Sequence, residues 1–150
     1  MIAAYVGRAL PPSRPYQVGR EKVREFALAV GEGASVCTDL DAARAAGHPD
    51  LVAPPTFAAT FIIPMMERFL RTPAVDWDYS RMVHGEQSFT MHRPVFAGDE
   101  LVTTVHVDEL KTRAGSHFLA LRCEVTDAAG EPVLTGTSLM VTAAEPEEGP

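Results

Sequence analysis

The sequence predicts an α+β fold in which an antiparallel sheet wraps around one central, buried helix. Residues 54–70 are apolar on almost every side of a helix, as expected of a helix without a solvent-facing side. From about residue 80 onward the hydrophobic period changes from 3.6 to 2, the period of strands. An antiparallel sheet with one apolar face needs a cover, and only segment 54–70 is long and apolar enough to supply it.

The first fifty residues predict an extended segment and then two helices. The prolines of RALPPSRPYQVG exclude a helix near the start of the chain. Residues 19–30 place their apolar side chains at helical spacing on one face. Thr38 as N-cap, with Asp41 three residues later, predicts the start of a second, short helix, and Gly47 predicts its end.

The central helix is predicted to span residues 54–70, PPTFAATFIIPMMERFL. Pro55 suits the first helical position, because the N–H that proline lacks would have no helical partner there. Pro64 lies inside the segment and predicts either a kink or a point where the helix restarts.

Four strands are predicted after the helix, because apolar and polar residues alternate between separators that contain Gly, Pro or Asp. They cover residues 81–93, 100–113, 116–127 and 132–143. One face of the third strand carries His117, Leu119, Leu121, Cys123 and Val125. One face of the first strand carries His84, Glu86, Ser88, Thr90 and His92. This polar set is either a wall with acid–base capacity or, as we favour, the outer face of the sheet or a subunit contact.

A sheet that wraps around a central helix is the hotdog arrangement, and this is the fold that the elements predict. Residues 1–143 are expected to form its single domain, and the acidic residues 144–150 a disordered tail. The sheet edges favour pairing with a second subunit, so a dimer or larger assembly is expected.

Composition argues against several functional classes. The formal net charge of −7 and the pI of about 5.1 disfavour general nucleic-acid binding, which needs positive charge. No apolar run approaches the roughly 20 residues that span a bilayer, so no membrane association is expected. The two cysteines form no disulfide framework and suit a reducing, cytoplasmic location. No cluster has the spacing of metal ligands, and we expect neither a metal nor another cofactor.

Four stretches of the chain, in order along it, resemble the MaoC-like hydratase/dehydratase family: YQVGREKVREFALAVGE, AARAAGHPDLVAPPTF, DYSRMVHGEQSFTMHRPVFAGDEL and AGEPVLTGTSLMVT. The resemblance is strongest to its FAS1-like dehydratase branch, which includes the partner subunits of mycobacterial (3R)-hydroxyacyl-carrier-protein dehydratases. It implies a hotdog fold and chemistry on an acyl thioester. In active members a histidine moves the proton at C2 and an aspartate handles the hydroxyl or water at C3. An amide N–H at the start of the central helix holds the thioester oxygen.

The catalytic signature of this family, Ser-Gly-Asp-x-Asn-Pro-x-His, falls on the segment AVGEGASVCTD of this chain. The resemblance places the aspartate position at Glu32 and the histidine position at Cys37. It places the oxyanion glycine at Pro55, which has no N–H to donate, so Thr56 is the nearest residue with an amide there. The substrate-binding residues that follow from this placement are Pro55, Thr56, Phe57 and His84.

The two residues at the catalytic positions each have a functional and a structural interpretation. Glu32 keeps a carboxylate on a longer side chain, which could act in catalysis if burial raised its pKa and is otherwise a solvated loop group. Cys37 precedes a helix N-terminus, where a thiolate is favoured. The alternative, which we favour, is a small residue packed under the turn. The segment therefore keeps the shape of an active-site turn without its histidine.

Three functions remain open at this point. The leading hypothesis is a non-catalytic or substrate-holding subunit that pairs with a catalytic MaoC-like subunit and takes an acyl-CoA or acyl-carrier-protein substrate. The second is an active enoyl-thioester hydratase/dehydratase or thioesterase that uses Glu32, with His84 or a water, and the Thr56 amide. The third is a homo-oligomer that binds an acyl thioester or another apolar ligand without chemistry.

Overall fold

Six strands form one antiparallel sheet in the computed structural model, which describes residues 1–143. The strands are β1 (Arg8–Ala9), β2 (Tyr16–Gln17), β3 (Val83–Met91), β4 (Glu100–Arg113), β5 (Ser116–Asp127) and β6 (Pro132–Ala143). Their order across the sheet is β1-β4-β5-β6-β3, with β2 also paired to β4. The extended N-terminal segment therefore supplies two short strands at one edge. The predicted tail, residues 144–150, lies outside the described residues.

The helix α3, Ala59–Leu70, covers the inner face of this sheet. The helix packs close against Gly136 on β6, where an added Cβ would lie 3.2 Å from Ile62 Cδ1. The helix residues that join the core are Phe61, Ile62, Met66, Phe69 and Leu70. The sheet residues of the same core include Leu101, Val105, Leu119, Leu121 and Leu134. This is the sheet around a central helix that the sequence predicts.

The central helix begins at Ala59 rather than at residue 54, and Pro55 is not its first residue. The residues before it form a turn, in which Phe57 N donates to Pro54 O at 2.9 Å. The ring of Pro55 disfavours helical dihedrals at Pro54, so the helix cannot start there. The helix continues through Pro64 as one element, so the predicted alternative of a restart does not occur.

The two short helices agree with the sequence, with one correction at an N-cap. They are α1, Arg20–Ala29, and α2, Leu40–Ala45. The N-cap of α2 is Asp39 rather than Thr38, because Asp39 Oδ1 accepts from Asp41 N at 2.8 Å and from the next amide at 3.2 Å. The Thr38 hydroxyl instead bonds back to a carbonyl of the preceding turn at 3.5 Å.

The predicted distribution of side chains between the two faces of a strand agrees with the structure on β5 and is wrong on β3. The inner face of β5 is buried at Leu119, Leu121, Cys123 and Val125, whereas His117 is half-buried. On β3, a bulge at Gly85 interrupts the alternation of side chains. His84 pairs with the buried Met140, whereas Glu86 pairs with Leu139. His84 therefore does not share a face with Glu86, contrary to the prediction.

Candidate functional site

The loop between α1 and α2 holds Glu32, the residue at the aspartate position of the resemblance. The helix α1 ends where Gly31 adopts a φ of 71° and Glu32 N donates to Ala27 O at 2.8 Å. The half-buried Glu32 side chain turns back into its own loop, where Oε1 accepts from Ala34 N at 2.9 Å. Its Oε2 makes no hydrogen bond within residues 1–143. The carboxylate is thus anchored through one oxygen, with the other free.

Cys37, at the histidine position, is a buried thiol. It ends the short 3-10 turn Ser35–Cys37 and is 4% exposed. Burial raises the pKa of this thiol, and the negative charge of Glu32 raises it further. The structure thus favours a packed thiol over a reactive thiolate. Because Glu32 acts on this pKa through its charge, the two positions lie within electrostatic reach of each other.

Backbone hydrogen bonds join this turn to the segment that leads to α3. Val52 N donates to Val36 O at 3.0 Å, and the next amide donates to Val95 O at 2.8 Å. The residue before Cys37 is therefore bonded directly to the strand-like segment that ends at Pro55. The structure brings together the two parts of the chain on which the family signature falls.

The turn before α3 combines exposed and buried residues. Pro55 and Thr56 are exposed. The Thr56 N–H has no hydrogen-bond partner in the described part of the chain, so it can donate to a ligand. Phe57 is 1% exposed, and its ring packs edge-on against Phe26 at 5.5 Å and Phe61 at 6.3 Å. Thr56 thus presents a free donor, while Phe57 secures the turn in the core.

The structure places no imidazole in hydrogen-bond contact with Glu32. His84 is exposed at the start of β3, and no hydrogen bond or ion pair within residues 1–143 joins it to Glu32. The other four histidines have separate neighbours: Phe96 for His48, Thr135 for His92, Glu124 for His106, and Thr112 for His117. Within residues 1–143 no hydrogen bond or ion pair links His84 to the turn that carries Glu32 and Cys37.

The sequence did not predict a cavity at the opposite end of α3. This cavity has a volume of about 910 Å³. Its lining includes Leu70, Arg71, Trp77, Leu110, His117 and Ala143. One signal in the sequence points to it, since the only tryptophan of the chain lies in the polar stretch VDWDYS, between two aspartates. A large ring in such a stretch indicates a packing or binding role.

Metal ligation and membrane spanning find no support in the described residues. Within residues 1–143 no group of three or more His, Cys, Asp or Glu side chains is arranged to hold a metal ion. In the same part of the chain, none of the helices is long and apolar enough to cross a membrane.

Comparison with known families assigns most of the chain. A family model described as "FAS1-like, dehydratase domain region" matches residues 4–136. A UPF0336 protein of Saccharopolyspora erythraea is 48% identical over 147 residues, which cover 96% of this chain and 94% of the relative. A UPF0336 protein of Streptomyces coelicolor is 49% identical over 141 residues, which cover 93% of this chain and 94% of the relative.

Solved structures agree with this assignment. A MaoC-like dehydratase matches with a TM-score of 0.86 and 34% identity over 97% of this chain, which spans only 44% of that protein. The C-terminally truncated HadBC (3R)-hydroxyacyl-ACP dehydratase complex of Mycobacterium tuberculosis matches with a TM-score of 0.85 and 29% identity, covering 94% of this chain and 99% of that one. The R-hydratase PhaJ1 of Pseudomonas aeruginosa, at 21% identity and a TM-score of 0.68, shares the fold over 97% of this chain and 89% of its own. The predicted resemblance and hotdog fold are confirmed.

Proposed function

The chain belongs to the family of FAS1-like dehydratase domains, and we propose that within this family it acts as a substrate-holding subunit rather than as the catalytic one. A partner subunit with an intact Asp/His pair would move the protons at C2 and C3 of a (3R)-hydroxyacyl thioester. This chain would hold the acyl group, carried on coenzyme A or on an acyl carrier protein.

The state of Cys37 is the observation that carries this proposal. Where active relatives have an imidazole, this chain has a buried thiol whose pKa is raised. Such a thiol is a poor proton acceptor near neutral pH, and no histidine forms a hydrogen bond or ion pair with Glu32 in residues 1–143. The acid–base pair is therefore incomplete on this chain.

Pro55 supports the same conclusion independently. It stands where active relatives use a glycine N–H to hold the thioester oxygen, and proline has no N–H to donate. Loss of one such donor typically costs about 10²- to 10³-fold in kcat. Two separate parts of the mechanism are thus replaced in this chain.

The free edge of the sheet offers a surface for the catalytic partner. The nine-residue strand β3 ends the sheet order, so within the described residues one side of its backbone has no paired strand. Val83 and Met91, at its two ends, are 62% and 36% exposed. Apolar side chains along an unpaired edge favour the addition of a strand from another subunit.

We also place the protein in the cytoplasm. Both cysteines are free and buried, and free thiols persist in that reducing compartment.

Co-expression with MaoC-like subunits that carry an intact Asp/His pair tests the proposal. We expect one of them to form a stable complex with this chain, seen by size-exclusion chromatography with light scattering. Hydration of crotonyl-CoA should require that complex. It should be abolished by substitution of the partner's catalytic aspartate and stay within about twofold when this chain carries Glu32→Gln. A stable homodimer of this chain that binds none of these partners would contradict the proposal.

The pairing edge can be tested within the same complex. Val83→Asp and Met91→Asp together should prevent assembly, because two charges would enter an apolar strand contact. Val6→Asp is the matched control, since Val6 is 39% exposed and precedes β1 at the other edge of the sheet. Assembly that survives the paired substitutions and fails in the control would place the partner at the opposite edge.

A second candidate function is hydration by this chain alone. Glu32 has one free carboxylate oxygen, and the Thr56 N–H is also free within the described residues. With a bound water these groups could act as an acid–base residue and an oxyanion donor. Turnover of crotonyl-CoA by the pure protein that disappears in Glu32→Gln would favour this function over the subunit role.

A further inference from the structure

The loop between β3 and β4, residues 92–99, supports the segment that leads to the turn before α3. Ala53 N donates to Val95 O at 2.8 Å, and Ala97 N donates to Leu51 O at 2.9 Å. These two backbone bonds form a short antiparallel pairing, which fixes the position of the segment on the β3–β4 loop.

The other side of the same segment is bonded to the turn that carries Cys37. Val52 N donates to Val36 O at 3.0 Å, so the segment lies between the β3–β4 loop and that turn. Thr56, whose N–H is free in the described part of the chain, follows three residues after Ala53. A displacement of the loop would therefore affect both the Thr56 amide and the turn that carries Cys37.

An ion pair inside the β3–β4 loop joins the two ends of the loop. The Arg93 guanidinium donates to both carboxylate oxygens of Asp99, from Nη1 at 2.8 Å and from Nη2 at 3.1 Å. The two side chains are 29% and 17% exposed, respectively. Because a planar guanidinium matches a carboxylate at two points, this pair fixes the orientation of the two side chains as well as their distance.

Both side chains of this pair are also bonded to the backbone of the loop. Arg93 Nη1 donates to Pro94 O at 2.9 Å, and Phe96 N donates to Asp99 Oδ2 at 2.9 Å. Phe96 is the loop residue that is bridged to Val52. The ion pair therefore sets the backbone shape of the part of the loop that contacts the segment.

A third, longer contact joins the loop to the sheet. Arg93 Nη2 lies 3.4 Å from Asp127 Oδ2 at the end of β5. This distance is longer than the two contacts with Asp99, so Asp99 is the stronger partner of Arg93.

We propose that Arg93 is a positioning residue for the candidate site. Through Asp99 and the loop backbone, it holds the Thr56 N–H and the turn that carries Cys37 in their relative positions. Arg93 itself makes no hydrogen bond to either position within residues 1–143. Its effect on a bound acyl thioester rests on the proposed function, whereas its effect on the turn can be measured without a ligand or a partner.

Alkylation of the two cysteines in the folded chain, followed by mass spectrometry, tests the positioning role. Arg93→Lys keeps the charge but loses the two-point contact, so the segment should open away from the turn more often. Cys37 should then be labelled about tenfold faster than in the unmodified chain, whereas the rate of Cys123 should stay within about twofold. Cys123 on β5 is 1% exposed and is the internal reference for opening of the whole fold.

Arg122→Lys is the matched control. Arg122 is 30% exposed and binds Asp108 at two points, with distances of 3.0 and 3.2 Å. It makes the same kind of contact within the sheet, so its loss should leave the labelling rate of Cys37 unchanged. Asp99→Asn removes the charge from the partner of Arg93 and should raise the Cys37 rate as well. It replaces Arg93→Lys if circular dichroism shows that variant unfolded.

The same variants in the complex with a catalytic partner test the part that rests on the proposed function. Arg93→Lys should raise KM for crotonyl-CoA about tenfold and leave kcat within about twofold, because this chain holds the acyl group and the partner moves the protons. Arg122→Lys should change neither constant.

Each remaining outcome contradicts a stated part of these proposals. If Arg93→Lys leaves the Cys37 rate unchanged, or if it raises the rates of Cys37 and Cys123 equally, Arg93 does not position the turn. The same conclusion follows if Arg122→Lys raises the Cys37 rate as much. If the Cys37 rate rises but KM does not, the positioned turn does not hold the thioester. If the Cys37 rate rises and no partner assembles, the positioning role is supported and the subunit role is wrong.

Discussion

The two ends of α3 differ in what their polar groups lack. At the N-terminal end, Glu32 is bonded within its own loop and Cys37 is a buried thiol. By the family resemblance, Cys37 and Pro55 stand there in place of the imidazole and the oxyanion N–H of active members. At the C-terminal end, Trp77 keeps a buried donor without a partner beside a cavity of about 910 Å³. The family resemblance places the candidate site at the N-terminal end of α3, whereas the unpaired donor of Trp77 lies at the C-terminal end.

This difference shows that the position of a site, which relatives share, and the chemical groups that one chain carries there are separate properties. A resemblance identifies where relatives carry out chemistry, because backbone geometry persists when side chains change. Accounting for each buried polar group identifies where this particular chain leaves a hydrogen bond unmade.

Alkylation of the two cysteines should show the largest contrast between the folded and the unfolded chain. Burial raises the pKa of Cys123 to about 12, so at neutral pH its thiolate fraction is roughly a thousandfold lower than that of an exposed thiol. Cys37, whose pKa is also raised, should react slowly as well, whereas both should react readily in denaturant. Mass spectrometry of a labelling time course measures both rates. If Cys37 of the folded chain is labelled as fast as in denaturant, it is a reactive thiolate. The described contrast between the two ends of α3 is then wrong.

Removal of core contacts from α3 should lower the stability of the fold at both ends of this helix. Ile62 is fully buried against Gly136, so Ile62→Ala should lower the free energy of unfolding by about 2–5 kcal/mol. Ile63→Ala, the same change at the next, half-buried position, is the control and should cost clearly less. Denaturant unfolding measures both variants. Equal losses would mean that α3 is not packed as described.

Removal of the N-cap of α2 should lower the stability of the region at the N-terminal end of α3 alone. Asp39→Ala deletes the acceptor of two backbone N–H groups and should cost about 1 kcal/mol of unfolding free energy. Asp41→Ala changes an exposed carboxylate of the same helix that caps nothing, and it should cost less. The indole signal of Trp77 should stay unchanged in both variants, and a shift would show that the two ends are coupled.

The smallest expected effect is a pH dependence carried by one aspartate at each end. Bonding to Arg20 lowers the pKa of Asp50 to about 2, and bonding to Ser80 and Arg81 lowers that of Asp78 to about 2. Because unfolded aspartate titrates near 3.9, each stabilises the fold fully above that pH and loses its contribution as pH falls through about 2.

Asp50→Asn and Asp78→Asn should therefore each lower stability at neutral pH. The difference from the unmodified chain should close between about pH 4 and pH 2. Acid titration of unfolding free energies checks this, with Asp41→Asn as the exposed control. If the difference in unfolding free energy between variant and unmodified chain stays constant below pH 2, the effect comes from the shape of the substituted side chain rather than from its charge.

The candidate site could be predicted from the sequence only in part. The grouping of Glu32, Cys37 and Thr56 follows from the family resemblance, whose catalytic signature falls on the first two and whose oxyanion position falls beside the third. The face that His84 occupies does not, because one extra residue at Gly85 places His84 on the side of Met140, opposite to Glu86. Such a bulge depends on pairing with β6 and leaves no trace in the alternation itself.

The sequence by itself determined the antiparallel sheet around a central helix, because burial on one face imposes a period on the residues of each strand and helix. Together with the family resemblance, it also predicted that Cys37 and Pro55 stand at the histidine and oxyanion-glycine positions. Only the tertiary structure decided that Asp39 rather than Thr38 caps α2, that within residues 1–143 no histidine is hydrogen-bonded to Glu32, and that in the same residues the donor of Trp77 is left unpaired. The cap depends on which of two adjacent side chains the folded turn directs at the first amides of the helix. The other two properties depend on contacts between residues far apart in the chain, which no local pattern records.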